Sequence, residues 1–401
     1  MSLSSLHKLT FIDLFAGCGG VSLGLLRAGW KGLFAIEKSG MAFETLKHNL
    51  IDKINHYDWP PWLPQAEHDI NDVLRICREE LEELNGKVSL VAGGPPCQGF
   101  SLAGRRNEHD KRNQLVNTYV EFINIVRPHL VFFENVKGFA AGFKQDNSSA
   151  KAYSKFVLQK LLELGYDVRA ETMNFGDFGI PQRRKRFILL GDRNGSASLF
   201  FKKLVDNRSR FLESRGLEKK ITLKEAISDL ERKCGEVSSS ECPSFRQGVY
   251  GGIASNYQRL LRKHNSDDKF PDSHRFSNHK PETVKKFLYI LNNSTRGKNI
   301  SQETKKKFQM RKNCIIPLDG DKQSPTLTTL PDDYIHYSEP RILTVREYAR
   351  IQSFDDSYEF KGKYTTGGQR RRIEVPRYTQ IGNAIPPLFI EQCGEMLKEM
   401  I

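Results

Sequence analysis

Among seven cysteines, at positions 18, 77, 97, 234, 242, 314 and 393, no C-x-x-C pair occurs. That spacing is the usual mark of a structural zinc site, and an odd cysteine count in so long a chain does not suit a disulfide framework. A reducing, cytoplasmic setting is expected. No apolar run approaches the ~18 residues a membrane-spanning helix needs. The opening MSLSSLHKLTFIDLF has no basic stretch followed by an apolar core, so no secretory signal is expected. Internal repeats are missing as well. What remains is a chain of 401 residues, 38% hydrophobic and 27% charged, suited to one large globular domain and a smaller one. Acidic charge is also in short supply, with 48 Asp and Glu against 62 Lys and Arg, a net of +14. Residues 193–340 hold 28 basic against 18 acidic side chains, a net of +10, and the remainder only +4. An excess so concentrated suits a phosphate backbone better than it suits a merely solvated lysine-rich surface.

The first half alternates between two hydrophobic periods. Strand-like stretches lie at 9–15, 32–37, 88–94, 129–136 and 185–191. Between them, 113–128 sets Leu115, Tyr119, Phe122, Ile123 and Val126 on one helical face before Pro128, and 151–166 repeats the pattern up to Gly165. Strand alternating with helix implies an α/β fold with a doubly wound, mostly parallel sheet. The pattern fades after about residue 192, where only TLKEAISDL (222–230), with Thr222 and Glu225 as a capping box, reads as a helix. Order returns near 341, with TVREYARIQSF (344–354) and LFIEQCGEMLKEM (388–400). The chain thus reads as a large domain interrupted by an insertion and completed by its C-terminus.

Two stretches carry chemistry. FIDLFAGCGGVSLGLLRAGW (11–30) runs from strand through a glycine turn into a helix, and Glu37 follows 20 residues after Gly17, where a carboxylate can accept both ribose hydroxyls. The dinucleotide fingerprint would need glycine at position 22, where Ser22 stands, so NAD and S-adenosylmethionine both remain open. Asp69 and Ile70 either flank an adenine or cap the helix that follows them. GGPPCQGFS (93–101) places Cys97 just past a strand end. A thiol of pKa ~8.5 needs its thiolate favoured before it is a good nucleophile. Arg105, Arg106, Lys111 and Arg112 lie nearby in sequence, and PQRRKRF (181–187) is a second basic cluster. If the strand ending at Glu134 neighbours the one before Cys97, thiol and carboxylate meet over one sheet edge, with Glu134 partly desolvated and ready to act as an acid. The plain alternatives are a small buried thiol for Cys97 and an arginine salt bridge for Glu134.

In this order DLFAGCGG, Glu37, HDI, GGPPCQGFS, DKRNQL (110–115), ENV (134–136), QRRKR (182–186), RILTVREYARIQSF (341–354) and QIGNAIPP (380–387) resemble the C5-cytosine DNA methyltransferases over most of the chain outside roughly 193–320. The resemblance implies the S-adenosylmethionine-dependent methyltransferase fold and transfer of a methyl group from S-adenosyl-L-methionine to carbon 5 of a flipped-out cytosine in a specific duplex sequence. It implies that Cys97 adds to ring carbon 6, that Glu134 acts at ring N3, and that Arg184 and Arg186 steady the base. Phe15, Gly17, Gly19, Glu37, Asp69, Ile70, Pro96, Leu115 and Asn383 fall at the cofactor, and no metal is required. Gln98 and Ser101, in a loop reaching Arg112, together with Thr326 and Leu327, fall at the DNA.

The domains implied are 1–192 for catalysis and cofactor, 193–340 for target recognition, and 341–401 completing the catalytic domain. The partner is double-stranded DNA, a cognate restriction endonuclease is a possible genetic partner, and a monomer is expected. Two features depart from the family pattern: Asp355 stands where proline is usual, and 361–378, with Arg370, Arg371 and Arg372, is long and basic. Rival readings are the same chemistry on transfer RNA, a nicotinamide-dependent dehydrogenase and a non-catalytic DNA-binding relative. Labelled methyl transfer, cofactor binding and the intact Cys97–Glu134–arginine set discriminate among them.

Overall fold

All five expected strands form, and a sixth joins them. The computed structural model describes residues 9–96, 114–141, 153–263, 270–367, 370 and 373–401. Strands β1 (Thr10–Leu14), β2 (Lys31–Ile36), β3 (Leu90–Gly93), β4 (Leu130–Val136), β5 (Asp167–Asn174) and β6 (Lys185–Asp192) make one sheet in the order β2-β1-β3-β4-β6-β5. β2, β1, β3 and β4 pair in parallel, whereas β6 runs antiparallel to both β4 and β5. β5 escapes the apolar pattern because it is an edge strand: its sequence, DVRAETMN, is charged or polar at most positions, and Met173 is its one buried residue.

Alternation along β1 sends side chains to two different helical layers. Ile12 and Leu14 enter a core with Phe34, Ile36, Val91, Phe133 and Leu189, covered by Ile70 and Val73 and by Tyr119, Phe122, Ile123 and Val126 of helix Gln114–Val126. The face anticipated for that helix is therefore the buried one. On the other side, Asp13 meets Ser22 of helix Gly20–Arg27, and Phe132 meets Phe200 edge-on at 6.5 Å. Gly394 of the terminal helix lies so near Ala28 that a Cβ there would stand 2.7 Å from the alanine methyl, and Trp30 donates its indole N–H to the Gly394 carbonyl at 3.0 Å. With helices on both faces, the sheet is doubly wound.

The chain divides into two compact units, one of Met1–Asn174, Lys185–Arg208 and Phe389–Ile401, the other of Phe175–Arg184 and Ser209–Leu388. These cuts differ from 192 and 340. Residues 341–388 fall in the same unit as 209–340, and only the last thirteen residues return to the sheet-bearing unit.

Among its described residues the second unit has only two-stranded sheets, Glu236–Ser238 with Arg246–Gly248 and Ile316–Pro317 with Tyr334–Ile335. Thr222 and Glu225 do form a capping box, as do Thr344 and Glu347 at helix Val345–Ile351. Its interior combines an apolar core with buried ion pairs. Fully buried Arg350 binds Asp356 at 2.6 Å and Asp229 at 3.0 Å, and Arg341 grips Glu347 through two bonds of 2.7 and 2.8 Å. The turn at Asp355 is settled by its carbonyl, which accepts from Arg346 at 3.0 Å and from the Tyr358 amide at 3.1 Å.

Candidate active site

The order β2-β1-β3 means that the chain leaves β1 toward one side of the sheet and reaches β3 on the other. Open α/β sheets bind ligands at such a switch point, beyond the carboxyl ends of the strands. The turn after β1 occupies that position, with an unusual backbone: Phe15, Gly17 and Gly19 have φ of +58°, +56° and +87°. Positive φ strains a phenylalanine, and strain of this kind persists where the surroundings enforce it. A Cβ at Gly17 would meet nothing within 4 Å, so the turn presents bare backbone to open space.

Glu37, at the tip of β2, fixes the turn. Its Oε2 accepts the Gly17 amide at 2.9 Å and its Oε1 the Ser39 amide at 2.7 Å. Burial pushes its carboxyl up from the usual range, and the backbone N–H groups oppose that rise. The Glu37 carbonyl accepts the His68 amide at 2.8 Å, and Lys38 binds Asp69 at 2.7 Å, which brings the 68–70 turn to the same edge. Asp69 caps helix Ile70–Ile76 by accepting the Asn71 amide, so the cap reading holds for it; the Ile70 side chain lies in the core. Leu115 packs partly buried against that core.

Beneath the turn lies a group the sequence reading missed. Tyr57 donates to the Ser22 hydroxyl at 2.6 Å, and Ser22 donates to the Asp13 carboxylate at 2.5 Å, all three being buried. Burial pushes Asp13 up to about 7 against the pull of the Ser22 bond, with Glu37 adding to the rise. The available signal was Ser22 itself, standing where a dinucleotide fingerprint has glycine: its hydroxyl ties helix Gly20–Arg27 to β1.

β3 and β4 are neighbours, with Gly93 opposite Phe133. The segment leaving β3 runs beside Glu134: a Cβ at Gly94 would stand 3.1 Å from both the Glu134 carbonyl oxygen and its Oε2. Asn135 donates to the Pro95 carbonyl at 3.2 Å, while Pro96 is exposed. Cys97, Gln98 and Ser101 lie outside the described residues, as do Gly104, Arg105, Arg106, Lys111, Arg112, Arg371 and Arg372. Arg186 of β6 reaches across to Glu134, Nε to Oε1 at 3.0 Å, so the salt bridge weighed as an alternative is present. Burial holds the Arg186 guanidinium below its usual pKa, opposed by Glu134.

Arg184 belongs to the second unit and is buried there, donating to the carbonyls of Leu327 at 3.2 Å and Gly382 at 2.9 Å. Leu327 is buried too, and the Thr326 hydroxyl donates to the Arg183 carbonyl at 2.8 Å. Asn383, also of this unit, is exposed at the end of helix Arg377–Asn383. In the 361–378 stretch, Lys363 pairs with Glu374 at 2.8 Å and Arg377 with Glu241 at 2.9 Å. Among the described residues no acid or Cys/His cluster could hold a metal, and no helix is long and apolar enough to cross a membrane.

The family model for C-5 cytosine-specific DNA methylases matches residues 9–399. The chain is 30% identical to the type II methyltransferase M.DdeI of Desulfomicrobium norvegicum, over 97% of this chain and 88% of that one. It is 28% identical to the type II methyltransferase M1.HphI of Haemophilus parahaemolyticus, over 98% and 87%. A solved E. coli prophage chain, assigned as a DNA modification methyltransferase, shares the fold with a TM-score of 0.67 at 20% identity, covering 98% of this chain and 99% of its own. The chain belongs to the C-5 cytosine-specific DNA methylase family and is an enzyme of the DNA (cytosine-5)-methyltransferase class.

Proposed function

We propose that the protein methylates cytosine within a specific duplex sequence, on a base turned out of the helix, through a covalent Cys97 adduct. The observation that carries this reading is the approach of the segment leading to Cys97 onto Glu134, at the sheet edge that also holds the Gly17 turn. Cytosine carbon 5 is too weak a nucleophile to be methylated directly. Addition of the Cys97 thiolate to ring carbon 6 moves electron density to carbon 5, and a hydrogen bond donated by the protonated Glu134 carboxyl to ring N3 stabilises the charge that develops. Once carbon 5 has gained the methyl group, loss of its remaining proton to water expels the Cys97 thiolate and restores the ring. Arg186 orients Glu134, while Arg184, bonded to two backbone carbonyls, is a positioning residue. Unpairing the base costs a few kcal/mol, which contacts from Gln98 and Ser101 help to offset.

The family implies S-adenosylmethionine as methyl donor, and the edge fits it: bare backbone at Gly17, a carboxylate at Glu37 fixed by two amides, and Phe15 held at positive φ. When bound, this cofactor supplies the electrophilic methyl group. Phe15, Gly17, Gly19, Glu37, Asp69, Pro96 and Leu115 hold it, Ile70 acts through its backbone position, and Asn383 is assigned from its motif. Thr326 and Leu327 are assigned to the DNA on the same basis, and Leu327 acts through its backbone position. The type II relatives favour a restriction-modification role with a cognate endonuclease, the enzyme itself acting as a monomer. The test is labelled methyl transfer to duplex DNA, with trapping on a duplex containing 5-fluorocytosine. Wild type should transfer label and form a denaturant-stable complex, and Cys97→Ser should do neither while still binding DNA. Full activity of Cys97→Ser would end the covalent reading.

A further inference from the structure

We propose that helices Pro281–Asn293 and Gln302–Lys307 form a clamp for the phosphate backbone of duplex DNA, gripping it through Lys285, Lys286, Lys306 and Lys307. The proposal rests on the reading of DNA as substrate and adds where sequence-independent affinity comes from. Residues 280–313 contain ten Lys or Arg and two Glu, a net of +8 out of the chain's +14. Phe287, Ile290 and Leu291 of the first helix pack with Ile300 and Ile315, which lie on either side of the second helix in sequence, so this charge sits on a packed element.

Several charges on other solvated helices of this protein are paired. Arg75 meets Asp72 at 3.0 Å, Arg78 meets Glu82 at 2.7 Å and Lys160 meets Glu163 at 2.8 Å. The basic helices do not. Lys312 reaches Asp332 and Asp333, Arg296 donates to the carbonyls of Leu318 and Tyr337, and Lys305 donates to the carbonyl of Asn313. Among the described residues Lys280, Lys285, Lys286, Lys298, Lys306, Lys307 and Arg311 have no carboxylate partner. Like charges crowded on a helix pair destabilise the fold unless an anion compensates.

The cations also converge. Lys307 lies over the Tyr289 ring at 3.8 Å, and that ring meets Phe308 edge-on at 5.2 Å. Lys285 and Lys286 precede Tyr289 by four and three residues, which puts them on its side of the helix. Lys307 is thereby held in place before any partner arrives, which lowers the entropy lost on binding. Contacts of this kind fix position without reading bases.

The experiment measures duplex affinity against salt by fluorescence anisotropy for wild type and for K285Q/K286Q/K306Q/K307Q. Each lost phosphate contact should remove about 0.9 from the slope of log K against log salt, so the variant should lose about 3 to 4, equally for cognate and unrelated duplexes. Turnover at saturating DNA should be unchanged. A charge-matched control, R75Q/R78Q/K87Q/K202Q, should keep the wild-type slope. If the quadruple variant unfolds, K285Q/K306Q should lose about 2. An unchanged slope in a folded variant that still methylates DNA overturns the clamp and leaves the enzymatic reading intact, and so does a slope loss seen on duplex RNA alone. Failure of wild type to methylate any duplex would instead sink the enzymatic reading.

Discussion

The sheet edge and the interior of the second unit solve the burial of charge in different ways. At the edge, Asp13 is buried against the hydroxyl and backbone N–H of Ser22, and through that hydroxyl Tyr57, and Glu37 against backbone amides. In the second unit, Asp229, Asp356 and Glu347 are buried against the guanidinium groups of Arg350 and Arg341. Neutral donors leave a carboxyl free to gain or lose its proton, and hold a turn without fixing its charge. At Asp356 the Arg350 guanidinium holds the carboxyl below its usual range, and such groups brace a region that has little sheet. A binding edge needs the first arrangement, and a scaffold with few strands needs the second.

The comparison is broken most severely by removing one arginine. Arg350→Met leaves Asp229 and Asp356 without their main partner, and should cost about 3–5 kcal/mol in urea unfolding. Arg262 near Asp229 and Tyr250 on Asp356 keep the loss from being larger. At the edge, Ser22→Ala removes the hydroxyl bond from a buried carboxyl and leaves it only the backbone N–H, at about 1–3 kcal/mol. Its diagnostic effect is on ligand: the Michaelis constant for S-adenosylmethionine should rise while turnover at saturation holds. Ser22→Thr, which keeps the hydroxyl, should restore it.

That same division decides what could be read from the chain. Ile12, Leu14, Val91, Phe133, Tyr119 and Phe122 announce themselves by period, because their burial follows from strand and helix geometry. The glycine turn and Glu37 were legible because positive φ demands special residues at fixed spacing. β5 was not, since an edge strand keeps polar side chains. Nor was the Arg350 network, whose partners stand 121 and 6 residues away with no periodicity to link them. Tyr57 was invisible for the same reason, its partner Ser22 being 35 residues distant.

Gly17→Ala separates backbone strain from ligand space. Forcing an alanine to φ +56° costs about 1–2 kcal/mol, and no neighbour adds to that, since the new methyl meets nothing within 4 Å. If that space belongs to the cofactor, affinity for S-adenosylhomocysteine by calorimetry should fall roughly tenfold or more, a further ~1.4 kcal/mol. Unchanged affinity would place the ligand elsewhere.

The finest test sets the two buried aspartates against each other. Asp13 is raised to about 7, first by burial, so its folded form holds a proton that the unfolded chain has already released above about pH 4. Its contribution is therefore complete at low pH and lost as pH climbs toward 7, by about 1 kcal/mol between pH 6 and pH 7. Asp13→Asn cannot titrate, so wild type should lose stability relative to it across that interval, and the difference should level off above pH 7. Asp356 is the converse case. Burial alone would raise it, but Arg350 holds its carboxyl below the usual range, so its contribution is present at neutral pH and disappears only in acid. Asp356→Asn should differ from wild type by a constant amount from pH 6 to pH 8, and the gap should narrow below about pH 4. Parallel stability profiles for the two variants would show that hydroxyl and guanidinium partners do not divide these carboxyls in the way the geometry requires.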